Sequence, residues 1–261
     1  MKLLFVGDIV GKPGRRALRD LLPGVIRDRQ VDITVVNCEN ASSGHGLTRE
    51  HYHELLDSGA DLLTSGNHIW DMKEIFDYID GAELLLRPIN YPDVPGRGTA
   101  IVQSPGGTKL GVANVMGTVF MGISLESPWK AIDAAVEELR QETNCILVDV
   151  HAEASSEKQA MGHYLDGRVS FVVGTHTHVQ TADERVLPGG TAYLTDAGMT
   201  GPYDSVIGMK KEASLRRFLT GMPSRYECAK NDVRLCGAIV DIDEETGKAR
   251  GIERINIPLP A

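Results

Sequence analysis

Apolar and polar positions follow a regular order along the first 80 residues. Short runs of consecutive apolar residues, typical of buried strands, alternate with segments whose apolar residues recur every three or four positions, typical of amphipathic helices. The predicted strands are residues 2–7, 32–37 and 61–66, and the predicted helices are residues 15–29, 47–59 and 71–79. This order predicts crossover units whose neighbouring strands run parallel.

The pattern changes in the second part of the chain. Residues 98–104 and 108–117 flank a Pro-Gly-Gly sequence and predict a β-hairpin. Further strands are predicted at 145–151, 169–176 and 192–198, helices at 127–142 and near 156–165, and a second hairpin within 236–257. We therefore predict an α/β fold in which two sheets pack face to face with helices outside. Because no repeat or linker divides the sequence, residues 1–261 are predicted to form a single domain.

Composition and charge limit the classes of partner. The chain has 261 residues, 42% of them hydrophobic, and a formal net charge of −9. An acidic chain is poorly suited to duplex nucleic acid or an anionic membrane, because both require clustered Lys and Arg. A bound metal reverses the local charge, so small phosphorylated substrates remain compatible with this composition.

The cysteines and the amino-terminal segment indicate a cellular compartment. Cys38, Cys145, Cys228 and Cys236 are widely separated and form no CxxC pair, which favours a reducing environment. The apolar start is interrupted at Gly7, too early for a signal peptide, and no run approaches the ~18 apolar residues of a membrane span. We therefore expect a soluble, cytoplasmic protein. The sequence does not determine the oligomeric state, and a homo-oligomer is compatible with it.

Polar residues able to bind metals follow several predicted strands. They are Asp8, Glu39, Asn40, Asn67, His68, His151, His176 and His178. Chemistry in folds of this class collects at the carboxyl ends of strands, where ligands from different loops can converge. Each residue alone is also compatible with a turn or a polar surface position. The complete set resembles the ligand set of a metal site.

The two motifs that contain adjacent candidates suggest separate roles. His176 and His178 are two positions apart, so on an extended backbone both would face one metal centre. Asn67 and His68 are neighbours whose side chains diverge. Asn67 can then offer its amide oxygen to a metal, while His68 points toward a substrate as a general acid. A plain histidine pair at a strand end and a turn with a surface histidine are the alternatives.

The segment GDIVGKPG admits a phosphate-binding interpretation, which its spacing contradicts. Three residues separate Gly7 from Gly11, whereas a P-loop needs four, and Pro13 stands where Ser or Thr would bind magnesium. Asp8 is therefore better explained as a metal ligand.

The order of these motifs resembles the calcineurin-like metallophosphoesterases, which show D-x-H, G-D, G-N-H-[DE], H and G-H-x-H. The segments GDIVGKPGR, NCENASSGHGLT, SGNHIWD, GTHTHVQTADE and TDAGMTGPYDSVIG resemble the bacterial YmdB-type cyclic-nucleotide phosphodiesterases over most of the chain. The sequence departs from the broader pattern at Val10, where a ligand histidine is usual, at Glu39, which replaces Asp, and at Thr175, which replaces Gly.

The resemblance implies a four-layer α/β/β/α fold and a site with two metal ions. Glu39 would bridge them. The first metal would take Asp8, Asn40 and His178, and the second Asn67, His151 and His176. Asn40 would replace the histidine missing at position 10. Iron or manganese suits these ligands, while zinc and nickel remain compatible.

The implied reaction is hydrolysis of a small phosphodiester by in-line attack of a metal-bridging hydroxide, with His68 protonating the leaving oxygen. The expected substrates are 2′,3′- or 3′,5′-cyclic nucleotides. A phosphomonoesterase or nucleotidase, a metal-dependent amidohydrolase, and a regulatory protein that binds metal and nucleotide with weak turnover are the alternatives. The Gly-rich loop 198–208 is either a lid whose Tyr203 stacks on a base or a plain surface loop.

Overall fold

The computed structural model describes residues 1–260. The strands are β1 (Lys2–Val6), β2 (Ile33–Asn37), β3 (Leu62–Thr64), β4 (Thr99–Gln103), β5 (Lys109–Met116), β6 (Ile146–His151), β7 (Phe171–Thr175), β8 (Arg185–Val186), β9 (Ala192–Leu194), β10 (Gly201–Pro202), β11 (Val233–Ile242) and β12 (Ala249–Pro258). The α-helices are α1 (Gly11–Arg29), α2 (Arg49–Asp57), α3 (Pro128–Leu139), α4 (Ser155–Tyr164) and α5 (Lys211–Thr220).

The strands form two sheets. The first has the order β10-β11-β1-β2-β3, with β12 paired to β11, and the second has the order β4-β5-β6-β7-β9-β8. β1, β2 and β3 run parallel, as do β5, β6, β7 and β9. The carboxyl ends of parallel strands lie at one edge of each sheet, and this edge carries the site.

Alternation along the strands explains why two sheets form. In β1, Leu4 and Val6 pack toward α1 and α2, whereas Leu3 and Phe5 pack between the sheets. In β6, Ile146 and Val148 contact the side chains of α3 and α4. Successive side chains point to opposite faces, so a strand buried on both faces needs a continuous apolar run. The predicted two-sheet α/β fold with outer helices is confirmed.

Three details of the predicted elements are wrong. Residues 71–79 form 3-10 turns, Lys73–Asp77 and Ile79–Gly81, in place of a helix. Short helices depend on tertiary packing, and tight turns already bury Ile75 and Ile79. The predicted strand 169–176 ends at Thr175. Helix α5 is absent from the prediction, because few of its apolar residues are buried.

None of the helices within residues 1–260 combines the length and the apolar character needed to cross a membrane. The two-sheet architecture also differs from the barrel that a metal-dependent amidohydrolase would require, so that alternative is contradicted.

Candidate metal centre

The candidate residues from both sheets meet at one edge of the molecule. Asp8 follows β1, Glu39 and Asn40 follow β2, and Asn67 and His68 lie in a 3-10 turn after β3. His151 ends β6, while His176 and His178 follow β7. A cavity of about 720 Å³ opens over them, and its wall includes Asn40, His68, His176 and His178.

One group of side chains surrounds His151, which is completely buried. Its Nε2 lies 2.5 Å from Glu39 Oε2. The same nitrogen is 3.0 Å from Asn67 Oδ1 and 3.1 Å from His176 Nδ1. Ligating atoms of Glu39, His151 and His176 lie within 4.8 Å of one another.

A second group surrounds His178. Its Nε2 lies 3.0 Å from the side-chain amide of Asn40 and 3.9 Å from Asp8 Oδ1. Either the oxygen or the nitrogen of the Asn40 amide can face this nitrogen, because the side chain can turn by 180°. The second group therefore offers one carboxylate, one amide and one imidazole.

The outward nitrogen of each imidazole contacts an oxygen. His178 Nδ1 donates to the carbonyl of Ile207 at 2.8 Å, and His176 Nε2 lies 3.1 Å from Glu153 Oε2. His151 Nδ1 donates to Thr175 Oγ1 at 2.9 Å, since that hydroxyl itself donates to Asp149. These bonds fix the ring orientations and leave the inward nitrogens available as metal ligands, an arrangement usual for metal-bound histidine.

Two carboxylate oxygens in the centre accept no hydrogen bond of ordinary geometry from the described residues. They are Asp8 Oδ1 and Glu39 Oε2, both on fully buried side chains. A buried carboxylate oxygen without a donor is costly, and a cation would remove that cost. The carboxylate, amide and imidazole atoms assembled here therefore fit a cation site.

Burial and neighbouring charges shift the pKa values of the centre in different directions. Burial raises the pKa of Asp8 to about 6, despite the opposing effect of His178 and His151. Burial alone would also raise the pKa of Glu39, but the adjacent His151 imidazole lowers that pKa to about 2. Burial and the charge of His151 lower the pKa of His176 to about 3, so this imidazole is neutral at pH 7.

The loop after β7 differs from the extended backbone expected there. His176 and His178 have φ angles of 95° and 66°, in the left-handed region that costs most residues energy. The prediction that both imidazoles share one face of a strand is therefore wrong. The curled backbone directs His176 toward His151 and His178 toward Asn40.

A buried ion pair supports this loop. Asp196 Oδ2 accepts hydrogen bonds from the backbone N–H and the hydroxyl of Thr177, at 3.2 and 2.6 Å. Lys158 Nζ donates to the same oxygen at 2.7 Å and to the carbonyl of Thr175 at 2.8 Å. The sequence does not predict a role for Asp196 or Lys158, because the residues around them form no distinctive polar pattern.

A polar network lies directly beneath the site, between the sheets. Asp149 accepts hydrogen bonds from Asn37 Nδ2 at 3.0 Å, Thr64 Oγ1 at 2.5 Å and Thr175 Oγ1 at 2.7 Å. In β2, β3 and β7 the last residue is thus polar where the preceding inward-facing ones are apolar, and in β6 Asp149 follows the inward-facing Leu147. This interruption, as in LVDVH, is a sequence signal that reasoning from motifs alone overlooks.

Position 10 is filled by a buried apolar side chain. Val10 precedes α1 and lies close to Gly208, whose φ of 98° and tight surroundings leave no space for a side chain. Asn40 belongs to the group around His178 instead. The sequence predicts that it replaces the histidine missing at position 10.

His68 lies at the rim of the cavity. Its backbone N–H donates to Glu39 Oε1 at 2.8 Å, and its Nδ1 is 2.8 Å from Asp71 Oδ2. The ring is partly exposed, with 39% of its side-chain surface accessible. Asp71 can therefore orient the ring while the second ring nitrogen remains free.

Tyr203 is not placed to stack on a ligand in this cavity. Its hydroxyl lies 2.8 Å from Cys236 Sγ, and the guanidinium of Arg234 covers its ring at 5.0 Å. Two other residues of the same loop, Val206 and Ile207, do line the cavity, as does His45.

Comparison with known proteins gives a consistent result over the full chain. A family model described as YmdB-like protein matches residues 4–255. A Bacillus subtilis protein named 2′,3′-cyclic-nucleotide 2′-phosphodiesterase is 49% identical over 98% of this chain and 97% of its own length. A Mycoplasma pneumoniae protein named putative phosphatase/phosphodiesterase is 35% identical over 98% of this chain and 93% of its own.

Two solved structures have the same fold. A hypothetical protein from Thermus thermophilus is 44% identical, with a TM-score of 0.92 and complete coverage of both chains. A structure from Mycoplasma pneumoniae described as a novel phosphatase is 35% identical, also with a TM-score of 0.92, and the match covers 99% of this chain and 93% of that one.

Proposed function

The chain belongs to the YmdB-like protein family, and on this premise we propose that it is a metal-dependent phosphodiesterase acting on small phosphodiesters. Cyclic nucleotides of the 2′,3′ or 3′,5′ type are the proposed substrates. One observation carries the proposal: three oriented imidazoles and two buried carboxylate oxygens that accept no hydrogen bond from the described residues converge beneath a cavity. The cyclic-nucleotide activity named for the Bacillus subtilis relative supports the substrate class.

The two groups of side chains suggest two cations. The group around His178 would hold the first cation with Asp8, Asn40 and His178. The group around His151 would hold the second cation with Asn67, His151 and His176. Glu39 would contact both cations. Paired cations of this kind supply an activated water and neutralise charge that develops on phosphoryl oxygens. Iron or manganese fits the mixture of oxygen and imidazole ligands, and zinc is compatible with it.

The protein's own residues would position the substrate and move the proton. With Nδ1 of His68 donating to Asp71, its Nε2 can carry a proton toward the cavity. Transfer of that proton to the leaving ester oxygen avoids expulsion of an alkoxide. Asp71 stabilises the charged imidazole before this transfer, and the transfer leaves His68 neutral with its Nδ1 proton still bonded to Asp71. The cavity volume lies within the ordinary range for small-molecule sites, about 300–1,000 Å³.

The name of the Mycoplasma pneumoniae relative also includes phosphatase activity, so a phosphomonoesterase is the second candidate. A diester and its monoester can bind the same pair of cations. They differ in charge, because a diester carries one negative charge and a monoester about −1.5 to −2 near pH 7. A regulatory protein with weak turnover is the third.

A substrate panel separates these functions. Metal-loaded protein is assayed on bis-p-nitrophenyl phosphate, p-nitrophenyl phosphate and the 2′,3′- and 3′,5′-cyclic nucleotides. We expect the highest kcat/KM on a cyclic diester. A higher kcat/KM on the monoester would replace the proposal with a phosphatase. Nucleotide binding without turnover on any ester would support the regulatory alternative.

A further inference from the structure

The cavity wall combines two kinds of side chain. His68, His176 and His178 bring imidazoles to it, and Asn40 brings an amide. The segment 206–226 adds apolar and aromatic side chains, namely Val206, Ile207, Met209, Phe218 and Tyr226. A phosphodiester group at the metal centre would fill only part of the cavity's volume of about 720 Å³. The cavity therefore has room for a second, apolar part of a ligand.

Helix α5 places an aromatic ring over this space without packing it into the protein. Ser214 is the residue of α5 that is buried, whereas Phe218 is 80% exposed. Because Phe218 lies in the cavity wall and is not packed against the protein, its ring is available to contact a ligand.

The second aromatic residue, Tyr226, is held in place by a cation. Arg217 Nη1 donates to the Tyr226 hydroxyl at 3.3 Å, and its guanidinium carbon lies 5.6 Å from the centre of the ring. Arg217 therefore restrains the Tyr226 ring at the wall of the cavity.

We propose that Phe218 and Tyr226 form a subsite for the nucleobase of the substrate, while its phosphate lies at the metal centre. This inference rests on the proposed function and deepens it. Every base offers an aromatic face, and stacking on one protein aromatic ring strengthens binding by about 5- to 100-fold.

The chemistry of the wall also defines its selectivity. Apart from Ser214 and the Tyr226 hydroxyl, the side chains that the segment 206–226 brings to the wall offer no strong hydrogen-bonding group that could distinguish one base edge from another. The subsite is therefore tolerant of base identity. Purines bind more tightly than pyrimidines, because their larger rings bury more apolar surface.

The test compares two substrates that differ only in the base: 2′,3′-cyclic AMP and ribose 2′,3′-cyclic phosphate. The quantity measured is the ratio of their kcat/KM values. We expect Phe218→Ala to lower this ratio about 5- to 100-fold, mainly through the KM of the nucleotide. Phe120→Ala is the matched control, because Phe120 is 85% exposed and is absent from the cavity wall, and it should preserve the ratio.

Other results overturn the inference and leave the proposed function intact. An unchanged ratio in Phe218→Ala would do so. A lower molecular mass in light scattering with an unchanged ratio would assign the exposed helix to a contact between copies of the chain.

If the wild type hydrolyses neither substrate, the proposed function fails. Calorimetry with 3′-AMP and ribose phosphate then tests the subsite. If Phe218→Ala weakens the binding of 3′-AMP and leaves the binding of ribose phosphate unchanged, the subsite is supported. Equal effects on the binding of both ligands would refute it.

Discussion

The hydrogen bond on the outer nitrogen of each histidine determines which atoms the centre can offer to a cation. Ile207, Thr175 and Glu153 provide those outer acceptors, so each inward nitrogen is available as a ligand. His68 differs from the other three, since its ring is paired with Asp71 at the rim of the cavity. This difference is the basis for proposing His68 as a proton donor and the other three histidines as metal ligands.

The role of His68 is testable by separating turnover from metal content. His68→Ala should lower kcat on a diester by about 10²- to 10⁴-fold, the usual contribution of general acid catalysis. The bound metal should stay near the wild-type value. His53→Ala, an exposed histidine on α2, serves as the control for both measurements. Loss of metal in His68→Ala would show that this residue is a ligand.

Asn40 is the residue that distinguishes this site from one with a histidine at position 10. Asn40→Ala should reduce the bound metal from two ions per chain to about one, because the second group then keeps only Asp8 and His178. Elemental analysis measures the stoichiometry. His45→Ala, a nearby cavity residue outside both groups, should retain two ions. Full metal content in Asn40→Ala would remove Asn40 from the ligand set.

At the level of elements, the left-handed loop after β7 needs support from its surroundings. Asp196 receives three hydrogen bonds on one oxygen, from Thr177 and Lys158, and Gly198 N donates to the other at 2.8 Å. Lys158 and Asp196 are 1% and 0% exposed. The buried pair thus fixes the backbone that carries His176 and His178.

Breaking this pair should destabilise the protein strongly. Asp196→Ala leaves the Lys158 ammonium buried without its partner, at a cost of about 3–5 kcal/mol in the free energy of unfolding. Urea unfolding followed by circular dichroism measures that energy. Glu142→Gln, which breaks the exposed pair with Lys109, is the control and should have no measurable effect. A similarly small effect for Asp196→Ala would contradict the proposed support.

The sequence predicts the positions of most strands along the chain. It predicts the backbone conformation of the loops after the strands less well. The convergence of Asp8, Glu39 and His151 is predictable, because each ends or follows an apolar run and strand ends converge in this fold. The left-handed backbone at His176 depends on Asp196, which lies 20 residues further along the chain. Such a distant contact leaves no periodic signal in the sequence.

At the level of the whole molecule, the centre joins the two sheets. Glu39 follows a strand of the first sheet and contacts His151 of the second, and Asp149 links Asn37 and Thr64 to the strand that carries His151. The proposed metal ligands and the polar network therefore belong to the same interface as the apolar core between the sheets.

Removal of metal should consequently affect the stability of the entire fold. Ligands that bind only the native state stabilise it, by about 4 kcal/mol at 1,000 times the Kd. Chelation should lower Tm by ~5 °C or more, and manganese should restore it. Asp8→Asn protein, which lacks one ligand charge, should show a smaller change. A Tm that does not respond to chelation of metal-loaded protein would contradict a structural contribution of the centre.

The central claim is that the converging side chains hold two metal ions, and anomalous diffraction from crystals of protein purified without added metal tests it most directly. We expect two peaks, one beside Asp8, Asn40 and His178 and one beside Asn67, His151 and His176, with Glu39 between them. A peak elsewhere, or no peak after soaking with iron, manganese or zinc, would contradict the account.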